Sequence, residues 1–189
     1  MRIPAVLFAC GLALGAYSLN ASSNAGLPEG WSVGGEAPKL YAAEVDTSDS
    51  PSGQGSMVLR RTETSHEFGG AHLAQSIPVG PYAGKRVRVS LHVRFQNADR
   101  LAGAIYIGTE NSSHGQSDEY GDNWVWSQTT LTLPADVKQL EIGVGLKGPG
   151  SAKVDAIALH VLGDAPADQR GTRISDTTLV VDGKPKDLP

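Results

Sequence analysis

The sequence holds a single cysteine, Cys10, and that residue lies inside an apolar run near its start. A chain processed beyond this run has no thiol, which excludes a disulfide framework and leaves stability to the core alone. Positive charge is also in short supply, with 16 Lys and Arg against 20 Asp and Glu and a formal net charge of −4. No overall positive field draws such a chain to nucleic acid or an anionic membrane, so neither partner is expected. Helical signals are missing too: there is no amphipathic 3.6-residue pattern, and 23 Gly and 11 Pro among 189 residues punctuate the chain too often for one.

What is present begins with Arg2 followed by the apolar run Ile3 to Leu14 and a small, polar stretch, the pattern of a secretory signal peptide. Small residues permit cleavage after Ser18, Ala21 or Ala25, so a mature start between Leu19 and Gly26 is expected, with export to the periplasm or medium. Leu7-Phe8-Ala9-Cys10 resembles a lipoprotein box, but apolar sequence continues past the cysteine. The run is about 12 residues against the ~20 that a membrane helix needs, and no other segment approaches that length, so no membrane span is expected. The chain is thus divided into a signal peptide (1–25), one domain (26–163) and a polar, flexible tail (164–189).

Within the domain the period is two. In Arg86 to Phe95 the apolar residues Val87, Val89, Leu91, Val93 and Phe95 alternate with Arg86, Arg88, Ser90, His92 and Arg94. Such alternation marks a strand with one buried and one wet face. Leu140 to Lys147 repeats it, with Leu140, Ile142, Val144 and Leu146 inward and Glu141, Gly143, Gly145 and Lys147 outward. Further strands are expected at about 40–45, 56–62, 71–77, 101–109, 124–133 and 153–162, with one short strand at 177–181. Turn clusters separate them at 46–55, 78–84, 111–123, 134–138 and 148–151. The expectation is an all-β, single-domain antiparallel β-sandwich of the jelly-roll kind.

The order of landmarks carries a family resemblance. Gly30-Trp31 opens the domain, Tyr41 to Asp46 runs into Gly53-Gln54-Gly55-Ser56, and Gln75 precedes Tyr82-Ala83-Gly84-Lys85-Arg86-Val87-Arg88-Val89-Ser90. Trp124 stands ten residues before Pro134, followed by Ile142-Gly143-Val144-Gly145-Leu146 and by Val154-Asp155. Over residues 28–162 this resembles the galactose-binding-like and carbohydrate-binding-module jelly rolls of exported bacterial proteins. The resemblance implies the fold and a glycan-binding role. It departs from glycan-binding members at Ala156, where a second acidic residue is common.

Several side chains are candidates for a site. Trp124 and Trp126 share a parity with Gln128, Thr130 and Thr132, so a regular strand sets both indoles on the polar side, where they form a stacking platform for sugar rings or cover an edge of the sandwich. Tyr120 and Tyr106 extend the platform, and Gly143 and Gly145 leave a shallow groove beside it. His92 and Arg94, with Arg86 and Arg88, form a basic stripe suited to an acidic glycan or simply to solvent. Asp155 shares parity with Ile157, Leu159 and Val161 and so faces inward, where a carboxylate needs a partner or a metal. Jelly-roll relatives often hold a structural calcium ion at this end, which the resemblance extends to Asp155, with Asp46 and Asp49 as further candidates.

Catalytic signatures are absent. His66-Glu67 lacks a second histidine at zincin spacing, and Gly143 to Gly148 fits GxGxxG only by letter, since Pro149-Gly150 follows where a helix must begin. No serine elbow occurs, and Glu110, Asp118, Glu119 and Asp122 crowd one loop instead of converging from two sides. An exported, non-catalytic module for an envelope glycan or other carbohydrate is therefore expected. Two other readings stand beside it: a structural or partner-binding accessory protein of the envelope, marked by a large exposed apolar patch, and a small β-sandwich lyase or hydrolase. The last requires His92, Arg94 and Tyr106 to converge from neighbouring strands.

Overall fold

The computed structural model describes residues 26–62, 69–98, 102–109, 112–116, 122–166 and 175–181. The expected signal peptide with Cys10, Tyr120, and positions 167–174 and 182–189 of the tail lie outside the described residues. The alternation in Arg86 to Phe95 becomes β5 (Lys85–Gln96), with Val87, Val89, Leu91, Val93 and Phe95 all buried. Leu140, Ile142, Val144 and Leu146 of β9 (Gln139–Lys147) are likewise buried, and both rows enter one core. Removing each such side chain from water stabilises the fold by about 1.5–3 kcal/mol, so this core holds the two sheets together without a disulfide among the described residues.

The other strands are β1 (Trp31–Gly35), β2 (Tyr41–Asp46), β3 (Ser56–Arg61), β4 (Gly70–Pro78), β6 (Gly103–Thr109), β7 (Ser112–Gln116), β8 (Val125–Thr132), β10 (Ser151–Asp164) and β11 (Ser175–Val181). They form a five-stranded sheet in the order β1-β4-β9-β6-β7 and a six-stranded sheet in the order β11-β8-β5-β10-β3-β2. The recorded pairings are antiparallel, so the fold is the expected β-sandwich. Among the described residues, no helix is long and apolar enough to cross a membrane.

The expected strands lie within about two residues of the observed ones, with three differences. β1 was not anticipated, because Trp31-Ser32-Val33-Gly34-Gly35 buries only Val33 and shows little alternation. β7 falls inside the segment 111–123 that reads as a turn; its Ser, His, Gly and Gln carry no apolar signal, and its backbone pairs with β6 from Ile105↔Gln116 to Thr109↔Ser112. The strand expected at 177–181 runs from Ser175 to Val181 and pairs with β8.

A further correction concerns Asp155. A β-bulge between Asp155 and Ala158 puts one extra residue into β10, with Ala156 at φ +51°, and the parity reverses across it. Asp155 consequently pairs with His92 on the outer face, while Leu159 and Val161 beyond the bulge pair with the inward Val89 and Val87. The carboxylate is buried at 8% exposure, not by the core but by the loop joining β2 to β3.

Candidate functional site

The outer face of the five-stranded sheet is built from small residues. Register sets His72, Gly145 and Ala104 side by side across β4, β9 and β6; the next outward row is Ala74, Gly143 and Tyr106, and the third is Ser76, Glu141 and Gly108. Directly opposed residues share a face, so two rings rise from a floor of glycine and alanine. The rings of His72 and Tyr106 come from strands that flank β9, yet they stack with centroids 3.9 Å apart and planes 4° from parallel.

The glycines make this possible in different ways. A Cβ on Gly34 would lie 2.6 Å from His72 Nε2, and one on Gly108 would lie 2.7 Å from the Tyr106 phenol oxygen. At Gly143 it would sit 1.9 Å from the Leu73 carbonyl oxygen, so backbone packing alone forbids a side chain there. Gly145 differs: its Cβ would meet nothing nearer than 3.7 Å. Packing does not demand glycine at 145, and its effect is to leave the floor open beside the rings.

Polar groups line one end of the trough. The Tyr106 hydroxyl donates to Glu141 Oε2 at 3.1 Å, and Ser76 Oγ donates to Gln139 Oε1 at 2.9 Å. Burial, then the Glu141 charge and its hydrogen bond, push the Tyr106 phenol up to about 12. Burial lowers the His72 imidazole, with Glu141 acting in the opposite direction. At neutral pH the stack is therefore an uncharged imidazole on an uncharged phenol, and Tyr106 is a hydrogen-bond donor with no tendency to act as a base.

The opposite face of the sandwich holds most of the residues singled out from the sequence. Trp126 of β8 and Asp155 of β10 flank His92 of β5, and Arg94 pairs with Lys153. The Trp124 indole donates to Asp49 Oδ1 at 2.8 Å, while Asp49 Oδ2 accepts from Arg94 and Lys153, both at 2.7 Å. Lys153 also donates to Asp46 Oδ2 at 2.8 Å. Asp155 accepts from Ser50 Oγ, Ser52 Oγ and the Ser52 backbone N–H at 2.8 to 2.9 Å. These bonds fasten the β2–β3 loop onto the sheet. Hydrogen bonds from Lys153, with help from Ser48 at Asp46 and from Trp124 at Asp49, hold both carboxyls below their ordinary range.

The expected site therefore divides. Tyr106 stands on the five-stranded sheet with the Gly143/Gly145 groove; Trp124, Trp126, His92 and Arg94 stand on the six-stranded sheet and do not border it. β5 and β6 belong to different sheets, so His92, Arg94 and Tyr106 do not converge as a lyase requires. Asp46 faces the Lys153 ammonium and Asp155 faces serines, and no group of three or more metal-ligating side chains is found among the described residues. His72 and Glu141 were missed as site residues. Their signal was outward parity in β4 and β9, but which outward residues meet depends on strand order.

No family model matches the chain. The uncharacterized HTH-type transcriptional regulator YbfP of Bacillus subtilis is 21% identical over 170 residues, covering 85% of this chain and 55% of the regulator. The chain thus spans about half the length of that curated relative. Among solved structures, the enzymatically active domain of bacteriophage CBA120 tailspike protein 4 superposes with a TM-score of 0.55 at 11% identity, over 71% of this chain and 20% of that one. The C-terminal family 22 carbohydrate-binding module of Clostridium thermocellum Xyn10B gives 0.50 at 13% identity, over 73% and 90%. A xylan-binding domain of the same module family gives the same values. These likenesses show the fold, a β-sandwich of the carbohydrate-binding-module kind.

Proposed function

We propose that the chain is a carbohydrate-binding module and that its site is the outer face of the five-stranded sheet. The observation that carries this is the His72–Tyr106 stack over a floor cleared by Gly143 and Gly145. Sugar rings present flat C–H faces that lie against aromatic surfaces, and their hydroxyls need donors and acceptors at the edge. The trough supplies both, with the ring pair at its centre and Tyr106, Glu141, Ser76 and Gln139 at one end. In the Xyn10B module, amino acids of a cleft take part in ligand binding, which agrees with a trough as the binding surface on the same fold.

Binding fits these residues better than chemistry. The phenol pushed up to about 12 stays protonated at neutral pH and so offers no phenolate to take up a proton, and Glu141 is hydrogen-bonded to it. A partner-binding accessory role is less well supported, because Leu162 is the one exposed large hydrophobic residue among those described. The apolar run after Arg2 supports export, and with it a place outside the cytoplasm where polysaccharide is found.

Native gel electrophoresis in xylan and in a panel of other uncharged polysaccharides tests this function. The wild-type protein is expected to be retarded by at least one of them, and Tyr106→Ala to lose most of that retardation while its circular-dichroism spectrum shows that it is still folded. Equal retardation of the two proteins would overturn the assignment of the site.

A further inference from the structure

The six-stranded sheet has an outer face of its own. Three successive outward positions on its central strand β5 are Arg88, Ser90 and His92, flanked by Thr130, Gln128 and Trp126 on β8. On the other side Arg88 pairs with His160 and Ser90 with Ala158 of β10. Ser90 and Ala158 are short, so the middle of this patch is lower than its walls.

Its polar groups are not all satisfied. Arg88 Nε and His92 Nδ1 are buried and have no hydrogen-bond partner among the described residues, which is costly for a guanidinium N–H unless a ligand supplies the acceptor. The neighbouring charges are already engaged: Arg94 with Asp49, and Asp155 with Ser50 and Ser52. Burial lowers the His92 imidazole against the pull of Asp155, so its ring is uncharged at neutral pH and Arg88 carries the positive charge of the patch. Trp126, half-buried, pairs with His92 four residues along β5 from Arg88, so indole and charge lie about 13 Å apart along the face, the span of an oligosaccharide and not of one sugar ring.

We propose that this patch is a second binding site, for an acidic oligosaccharide, with the Arg88 guanidinium receiving the carboxylate of one sugar and Trp126 the ring of another unit further along the chain. A guanidinium presents a planar fork that matches a carboxylate in two parallel hydrogen bonds, and the neighbouring Gln128 and His160 supply further polar contacts. The two faces of the sandwich then take different polymers, an uncharged one over His72 and Tyr106 and an acidic one over Arg88. Such a protein crosslinks polysaccharides. This inference stands apart from the first site, since it uses the other sheet.

Titration with trigalacturonate, followed through the Arg88 Nε–H and Trp126 indole N–H signals by NMR, tests it. Both signals are expected to move saturably, while xylotriose and an equal concentration of sodium acetate leave them in place. Arg88→Lys keeps the charge and loses the fork, and it is expected to weaken trigalacturonate binding about tenfold. Arg88→Gln is expected to abolish that binding without affecting retention by uncharged polysaccharide, and Tyr106→Ala to do the reverse. Unmoved signals, an equal response to acetate or xylotriose, or wild-type affinity in Arg88→Lys would each overturn the proposal, whatever happens at the first site.

Discussion

His72 and Tyr106 stack across a strand that belongs to neither of them. β4 and β6 flank β9 and so stand roughly 10 Å apart, twice the usual strand spacing, yet the ring centroids are 3.9 Å apart. Both side chains stand on the outer face, away from the core, where Gly143 of β9 is buried and Gly145 is only partly covered. An aromatic pair of this kind contributes about 0.5–1.5 kcal/mol beyond its area. His72→Ala and Tyr106→Ala are accordingly expected to lose at least this much stability in urea unfolding, together with the area each ring buries, in a domain that still folds, and to lower polysaccharide affinity about tenfold or more.

The two glycines beneath the rings are expected to respond differently. Gly143→Ala places a methyl group 1.9 Å from a backbone oxygen, so strands β4 and β9 must separate and several kcal/mol of stability should be lost. At Gly145 an added Cβ meets only ordinary contacts, so Gly145→Leu is expected to keep a melting temperature close to that of the wild type. The same leucine fills the floor of the trough. Retention in polysaccharide gels should therefore disappear in a protein that is still folded.

Acid should loosen the β2–β3 loop. Asp46 and Asp49 have folded-state pKa values below the ordinary carboxylate value, so the unfolded chain binds more protons between the two. Their contribution is present above the unfolded value of about 4 and is lost as pH falls through that range. Lys153 has the opposite sign: hydrogen bonds to Asp46 and Asp49 outweigh the burial that works against its charge, and stability is lost as pH rises through its raised pKa. Melting curves from pH 2 to 6 should show a steep decline below pH 4 that is shallower in Asp49→Asn.

Trp124 and Trp126 should separate in their effects on stability. Trp124→Phe removes the indole N–H that donates to Asp49, a charge-assisted bond worth about 1.5–3 kcal/mol, with the lower figure expected because Lys153 and Arg94 still hold that carboxylate. Trp126→Phe removes no hydrogen bond to any of the described residues and should cost less. Chemical denaturation of the two variants measures the difference.

Ala156 holds a left-handed backbone at φ +51° in the β10 bulge, a conformation that costs an L-residue about 1–2 kcal/mol. Ala156→Gly should recover part of this and raise stability by roughly 0.5–1 kcal/mol in the same measurement.

That bulge marks a limit of what the sequence reveals. The alternation in β5 and β9 identified the core rows and the outward glycines, because a half-buried strand repeats every two residues. Parity then misplaced Asp155, since the inserted residue is an alanine and gives no sign of a left-handed turn. Trp126 does share the outward side of β8 with Gln128 and Thr130, which pair with Val180 and Thr178 of β11. The sheet to which β8 belongs is not written in its own residues. For the same reason Tyr106 and the groove glycines were recognisable, whereas their partner His72 was not: outward residues become a site only when strand order brings them together.

The most direct test of the account is to map the surface that an uncharged oligosaccharide touches, using the backbone amide NMR spectrum of the labelled protein titrated with xylohexaose. The account predicts saturable shifts confined to the outer face of β4, β9 and β6, centred on His72, Gly145 and Tyr106. Shifts centred instead on Trp126 and His92, or none with any uncharged oligosaccharide, would contradict it.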